Sequence, residues 1–502
     1  MSGLALTKGR TRVASRKPVH TVAAVVLAAG RGKRMKSERP KVLHEICGRP
    51  SLWHVLMAAG AARPDPLVVV VRGRGDPVAE AVRSWDLDPG PVFVEQREPL
   101  GTGHAVAAAE HAVGRAEDVV VLAGDDPLIT EGHVRELLAV HRRTKAAGTI
   151  LTTSTSDPTG YARVIREGHR LVDLVGEDAA DADPEVHSVR EVSTLVYAFR
   201  REDLYQALPL VGRSDRTGEQ YLFHVLGILR EKGERLSAAW IDLGGAMGVN
   251  SRAALAQAMQ VMRDRIIRRH MANGVTFVDP VTAYVDVDVR IAPDTTILPV
   301  TELLGSTRVG RGCTIGPATR IRDSVIEDGA DVTFSVVRES RIGPRASIGP
   351  YASLRPGTVI LEGGKAGTFV ELKASRVGKG SKVPHLSYVG DATIGDQVNV
   401  GAGTVTVNYD GFAKHQTVIG DQAHIGSDTM LVAPVKVGKR AWTGAGSVIT
   451  KDVPAGSLAV ERGEQRNVPG YDERKRGAQP KKGSRKSPAK AKRTPRGGRG
   501  GG

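Results

Sequence analysis

The stretch VDVDVRIAPDTTILPVTELLGSTRVGRGCTIGPATRI, Val285 to Ile321, places an aliphatic residue at every sixth position: Val285, Ile291, Ile297, Leu303, Val309, Ile315 and Ile321. The count resumes at Ile342, Ile348, Leu354 and Ile360, then at Val377, Val383 and Val389, at Ile394 and Val400, and at Ile419, Ile425, Leu431 and Val437. A strand repeats every two residues and an α-helix about every 3.6, so neither accounts for a period of six. A coil of short parallel strands does. Each aliphatic points to the axis, and the Gly or Asp that often follows it (Gly310, Gly316, Gly343, Gly349) turns a corner. One coil cannot bury its own face, so coils must stack. An antiparallel sandwich would space its turns by about eight to twelve residues instead. Residues 274–472 are therefore expected to form a parallel β-helix of hexapeptide repeats.

Around that region the composition is ordinary for a folded chain, with 40% hydrophobic and 25% charged residues, while 59 glycines suit a turn-rich coil. The net charge of +16 is confined to the ends. Twelve Lys/Arg and no acid lie from Arg474 to Gly502, five and none from Met1 to Thr21, and the chain between them carries −1. Residues 1–22 and 473–502 are expected to be disordered basic extensions, the latter too rich in Lys, Arg, Pro, Ser and Gly to bury a core. Such tails suit either plain solvation or non-specific binding to a polyanion. Cys47 and Cys313 are too few for a disulfide framework or a zinc cluster, which fits a reducing cytoplasm. No apolar run reaches the roughly 18 residues that span a bilayer. The run TVAAVVLAAG (Thr21–Gly30) imitates a signal peptide, but it is short and leads into RGKRM, as a buried first strand entering a loop would.

Between residues 23 and 250, strand-like runs (AAVVLAAG, PLVVVVRG, VVVLAGDD, TILTTS, LVYAF) alternate with helical ones (SLWHVLMAAGAA, GTGHAVAAAEHAV, GHVRELLAVHRR). That alternation predicts an α/β, Rossmann-like domain with a mostly parallel sheet and a ligand crevice at the strands' carboxyl ends. Residues 251–273 read as a linker helix, capped by Ser251 and stopped at Asn273-Gly274.

Two loops then carry chemistry. LAAGRGKRMKSERPK (Leu27–Lys41) offers Gly30 and Gly32 for close backbone approach and Arg31, Lys33, Arg34 and Lys41 as cations, a set suited to a polyphosphate. It is neither a Walker A loop nor a GxGxxG fingerprint. Asp125, at the end of VVVLAGDD, suits Mg²⁺, which prefers one or two side-chain oxygens plus substrate phosphates; Asn250 supplies a second oxygen. Gln96, Gly101 and Thr102 bring amide and small groups able to meet a base edge. In the hexad region, Arg355, Lys373 and Tyr388 would together hold a phosphate, with His385 as general base. An insertion between Val400 and Ile419, NVGAGTVTVNYDGFAKHQT, breaks the period as an exposed loop.

These pieces resemble the sugar-1-phosphate nucleotidylyltransferases and, with the hexads behind them, the bifunctional GlmU family, from about Ala23 to Arg466. The resemblance implies a left-handed β-helix and a homotrimer in which the insertion reaches a neighbouring subunit. It implies uridine nucleotide contacts from Leu27, Ala28, Ala29, Gly30, Lys41, Gln96, Gly101, Thr102, Ala123, Gly124 and Asp125, with Arg34 stabilising the triphosphate and Gly160 on the sugar. Mg²⁺ would sit on Asp125 and Asn250. Arg355, Lys373, Tyr388 and Asn399 would hold an amino-sugar phosphate, and Ala402, Asn408, Tyr409, Ser427, Ala445 and Arg462 acetyl-CoA. The implied activity acetylates glucosamine-1-phosphate with acetyl-CoA and transfers uridylyl from UTP to N-acetylglucosamine-1-phosphate, feeding peptidoglycan and, where made, lipopolysaccharide. Three departures stand against the family pattern. Gly176 replaces a Glu (with Glu177 one residue on), Ser193-Thr194-Leu195 replaces Asn-x-Gly, and Phe223-His224 replaces Thr-Asp. They leave open an acetyltransferase whose nucleotidylyl half is impaired.

Overall fold

The computed structural model describes residues 20–478 except Arg31, Pro89, Gly160, His169, 177–182, Arg216 and 243–246. Its N-terminal domain is built on a nine-stranded sheet. In chain order the strands are β1 (Val22–Leu27), β2 (Leu67–Val71), β3 (Val92–Glu95), β4 (Asp118–Ala123), β5 (Gly148–Ser154), β6 (Arg163–Glu167), β7 (Arg170–Val175), β8 (Glu191–Arg200) and β9 (Leu236–Trp240). The spatial order is β9-β5-β8-β4-β1-β2-β3, with β6 pairing β8 and β7. β3, β2, β1 and β4 run parallel, and β8 runs antiparallel between β4 and β5. Near-continuous Val/Leu/Ala runs in β1, β2 and β4 follow from burial on both faces, and separate apolar clusters cover the two sides. Helices α1 (Ser51–Ala59), α2 (Thr102–Ala108), α3 (Glu110–Val113), α4 (Glu131–Thr144) and α5 (His224–Glu231) surround the sheet. The expected single helix over GTGHAVAAAEHAV is thus two, broken at Ala109. Thr21, in the stretch expected to be a basic extension, accepts N–H bonds from Glu117 and Asp118.

Helix α6 (Arg252–Ala272) joins the domains, with Ser251 accepting the Ala254 N–H at 3.2 Å as N-cap. Its first half packs Ala258 against Ile46 and Leu128; its second half puts Ile266 and Ile267 into the core of the coil stack.

The C-terminal domain is a left-handed parallel β-helix with three faces, of eleven, ten and nine strands. The first face runs from Thr276–Phe277 to Leu458–Ala459, the second from Tyr284–Val285 to Val448–Ile449, the third from Arg290–Ile291 to Val435–Val437. Pairings such as Ile291↔Val309, Ile297↔Ile315 and Leu303↔Ile321 show one hexad per face and three per coil. The inward aliphatics form one continuous core, and buried hydroxyls of Thr301, Thr307 and Thr358 each donate to a backbone carbonyl at 2.7 Å.

The corner chemistry follows the expectation at Gly316 and Gly349, which lie in the left-handed region (φ 106° and 100°), and differs from it at other corners. Gly310, Gly343 and Gly426, directly after an inward aliphatic, lie outside the left-handed region. They are small because the next coil passes close by: a Cβ would fall 2.7, 2.8 and 2.6 Å from the backbone N of Asp328, Glu362 and Ala445. Left-handed residues also fall two or three positions past the aliphatic, among them Asp294, Val300, Ala318, Tyr351 and Phe369. Helix α7 (Tyr471–Gly477) ends the described chain where an extension without structure is expected from 473; the remainder of that tail, 479–502, and residues 1–19 lie outside the described residues.

Candidate active sites

The carboxyl ends of β1 and β4 lie in register, Leu27 opposite Ala123, and the loops that follow open a cleft of about 630 Å³. Leu27, Ala29, Gly30, Arg34, Lys41, Gln96, Gly101, Thr102, Ala123, Asp125 and Asn250 all line it. Ala28 and Gly124 stand behind the wall, buried, with their N–H groups donated to Val70 and Leu27 carbonyls at 2.9 Å. A Cβ on Gly124 would strike the Leu27 carbonyl oxygen at 2.7 Å, so that position admits only glycine without a shift. Gly30 and Gly32 leave room for the Lys41 side chain: Cβ atoms there would come within 3.1 Å of its Cε and 2.7 Å of its Cβ. Gln96 is buried, and its side-chain amide donates to the Gly101 carbonyl at 3.0 Å. Thr102 Oγ1 accepts the Leu222 N–H at 3.0 Å, tying the 219–222 segment over the cleft.

Lys41 Nζ contacts Asp125 Oδ2 and donates to Asn250 Oδ1 at 3.0 Å. Two oxygens from residues 125 positions apart therefore converge on one cation position. The convergence is built in: Val249 N–H donates to the Asp125 carbonyl at 2.8 Å, and Met247 N–H to Asp126 Oδ1 at 3.0 Å. Asp126 is buried, and that burial, against the Met247 bond and with the Asp125 charge, pushes its carboxyl up to about 7. One carboxylate and one amide oxygen fit Mg²⁺, which takes its other ligands from water and substrate phosphates.

The acceptor end is less polar than the family pattern implies. Leu195 faces the cleft, 43% exposed, in the left-handed region (φ 58°) at an irregularity between β8 and β5. Ser193 Oγ is engaged with Tyr197 OH at 3.3 Å. A Cβ on Gly176 would lie 3.2 Å from Cζ of Phe223, whose ring stacks on Tyr221. Two of the departures are thus one packing event: Phe223 occupies space beside the position that lacks a side chain. Gly160 and Glu177 lie outside the described residues, but buried Arg163 holds the neighbouring loop through bonds to the Pro158 and Tyr161 carbonyls at 2.6 and 2.5 Å. Sequence reading missed Arg163, Tyr197, Glu219 and Leu222, which adjoin the site only through folding.

On the β-helix, His385, Ala402, Ser427 and Ala445 each stand two residues past an inward residue of the first face (Val383, Val400, Ile425, Thr443). The pairings Lys382↔Asn399↔His424↔Trp442 put them at one corner on successive coils. His385 is exposed there. Arg355, Lys373 and Tyr388 lie along the second face and Asn399 on the first, the two faces that meet at that corner. Arg355 Nη1 donates to Glu371 at 2.9 Å and Lys373 Nζ to Asp391 at 3.4 Å, partners that the spacing of six did not single out. Asn408 also bonds Asp391, and Tyr388 OH and Asn408 Nδ2 both crowd over Gly390. The insertion brings Lys414 to Lys373, and the side-chain contact with Lys373, together with its charge, pushes the Lys414 ammonium below its ordinary range. Tyr409 is exposed on that insertion, Phe412 is 96% exposed, and Arg462 Nη1 donates to the Ala445 carbonyl at 2.9 Å.

An α/β cleft with a glycine-lined cation pocket, fused to hexapeptide coils with a histidine corner, defines a nucleotidyltransferase joined to an acyltransferase. Residues 24–216 match the family model of the MobA-like NTP transferase domain. The chain is 47% identical over 461 residues to the bifunctional protein GlmU of Streptomyces coelicolor, covering 91% of this chain and 95% of that protein. It is 48% identical over 449 residues to that of Heliobacterium modesticaldum (88% and 96%) and 44% identical over 464 to that of Mycobacterium bovis (91% and 93%). This chain belongs to the bifunctional GlmU family, and is an enzyme with a nucleotidyltransferase half and an acetyltransferase half.

Proposed function

We propose that the chain makes UDP-N-acetylglucosamine, one step at each site. At the β-helix the amine of glucosamine-1-phosphate attacks the acetyl-CoA thioester, CoA leaves, and His385 takes the amine's proton. Arg355, Lys373, Tyr388 and Asn399 hold the sugar phosphate, joined by Lys414. Ala402, Asn408, Tyr409, Ser427, Ala445 and Arg462 meet acetyl-CoA. In the cleft a phosphate oxygen of N-acetylglucosamine-1-phosphate attacks the α-phosphorus of UTP and pyrophosphate departs. The loop from Leu27 to Gly30, with Gln96, Gly101 and Thr102, holds the nucleotide, and Lys41 and Arg34 balance the triphosphate charge. Asp125 and Asn250 would hold Mg²⁺, which would supply further neutralisation of that charge. Gly160 contacts the sugar.

The observation that carries this reading is the convergence of Asp125 and Asn250 on one cation position in a chain that also aligns His385 with Ala402, Ser427 and Ala445. We place the enzyme in the cytoplasm, supplying cell-wall precursor, with its free cysteines suited to a reducing compartment. Among the described residues no helix is long and apolar enough to cross a membrane. A homotrimer is supported by Phe412 on the projecting insertion and by the exposed corner ladder Phe334, Tyr351 and Phe369, whose rings lie 5.6 and 5.3 Å apart. Pyrophosphate release from UTP, N-acetylglucosamine-1-phosphate and Mg²⁺ tests the cleft directly. His385→Ala should abolish acetyl transfer and spare uridylyl transfer, and Asp125→Ala the reverse; loss of both from either change would refute the two-site scheme.

A further inference from the structure

The outward residues of the first face, one position before the inward ones, run Lys382, Asn399, His424, Trp442 and Leu458 on successive coils. His424 and Trp442 stack, with centroids 3.9 Å apart and planes 13° from parallel. The indole is nevertheless 51% exposed, and Leu458 and Val460 beside it are exposed as well. A half-open aromatic pair is poorly explained by packing among the described residues, which leave half of the indole uncovered.

Its position suggests the occupant. The corner next to this column carries His385, then the small residues Ala402, Ser427 and Ala445, of which Ser427 and Ala445 are exposed. If the thioester lies at His385, the rest of the donor must pass along that small-residue channel. The coil of Trp442 is three rungs further, about 14 Å on at the usual strand spacing. Arg462, fixed to the Ala445 carbonyl, supplies a cation at the same level, suited to a phosphate. An aromatic platform with a cation beside it is a nucleotide-shaped pair of contacts.

We propose that the stacked His424–Trp442 pair is the platform on which the adenine of acetyl-CoA lies, making Trp442 a binding residue that selects nucleotide-bearing acyl donors. This rests on the acetyl-transfer reading above. The test compares acetyl-CoA with S-acetylpantetheine, which carries the same thioester and arm but no nucleotide, on glucosamine-1-phosphate. In Trp442→Ala, KM for acetyl-CoA should rise about 5- to 150-fold, the range for one base stacked on one aromatic side chain. KM for S-acetylpantetheine should stay put, and Trp442→Phe should recover most of the loss. Uridylyl transfer by the same preparation reports that the chain is folded. An unchanged KM for acetyl-CoA, or an equal rise for both donors, overturns the platform. The affinity of CoA itself, by calorimetry, reads the contact independently of turnover. Wild-type protein that binds CoA but acetylates nothing would count against the acetyl-transfer reading while Trp442→Ala still decides the platform. Dissociation of the assembly in Trp442→Ala with unchanged CoA affinity would assign the patch to a subunit contact and overturn the proposal.

Discussion

Phe223 and Gly176 are 47 positions apart, yet the ring carbon of one lies 3.2 Å from where the other's Cβ would stand. Restoring a carboxylate there meets an occupied space. Gly176→Glu alone should destabilise the protein by about 1–3 kcal/mol through overpacking and depress uridylyl transfer, while Gly176→Glu with Phe223→Thr should regain stability. A thermal melt of the two variants distinguishes them, and equal melts would show that Phe223 yields freely. Arg163 acts at the same scale. Its guanidinium is buried and ties two carbonyls flanking Gly160, so Arg163→Met should cost stability and lower kcat/KM for uridylyl transfer about tenfold or more, leaving acetyl transfer intact. The candidate site residues stood out in sequence as isolated letters with chemistry. Their partners (Glu371 for Arg355, Asp391 for Lys373 and Asn408) did not, since a coil's neighbours are about one turn of the β-helix away in the chain.

Among elements, the hexad coil separates two jobs that its sequence merges. At Gly310, Gly343 and Gly426 the glycine makes room for the next coil, whereas Gly316 and Gly349 join later residues such as Val300 (φ 58°) in the left-handed region. Gly343→Ala, with its Cβ 2.8 Å from backbone, should lose about 1–3 kcal/mol. Val300→Gly, which relieves a left-handed β-branched residue, should lose nothing or gain up to about 1 kcal/mol in chemical denaturation. Helix α6 adds a pH dependence. His270 is only 5% exposed, its Nε2 has no partner among the described residues, and burial with the nearby Arg269 charge lowers its pKa to about 4. A folded pKa below the ordinary 6.5 means that the fold prefers the neutral ring. Its stability is full above pH 6.5 and is lost as pH falls toward 4. Melts across that window should show the wild type losing stability relative to His270→Gln as the pH falls; parallel curves would remove His270 as the cause.

At the scale of the molecule, the two domains are joined by more than α6. Arg49 Nε donates to Asp288 at 2.5 Å, and Val287 N–H donates to the Cys47 carbonyl at 3.0 Å, so a hairpin of the α/β domain is fastened to the first coils. The basic tails belong to this scale too. Deleting Arg474–Gly502 should abolish salt-sensitive retention on a polyanion such as heparin while leaving both activities unchanged, and retention without the tail would place the binding elsewhere. By itself the sequence determined the β-helix, because a period of six in aliphatic residues has one geometric solution. It also determined the alternating α/β domain, and the residue types at both sites. Only the tertiary structure decided how those residues meet. Folding brought Asp125 and Asn250 to one cation position, set Phe223 against Gly176, and stacked Trp442 on His424. Each is a contact between chain-distant groups, fixed by sheet register and coil stacking rather than by any local preference of the chain.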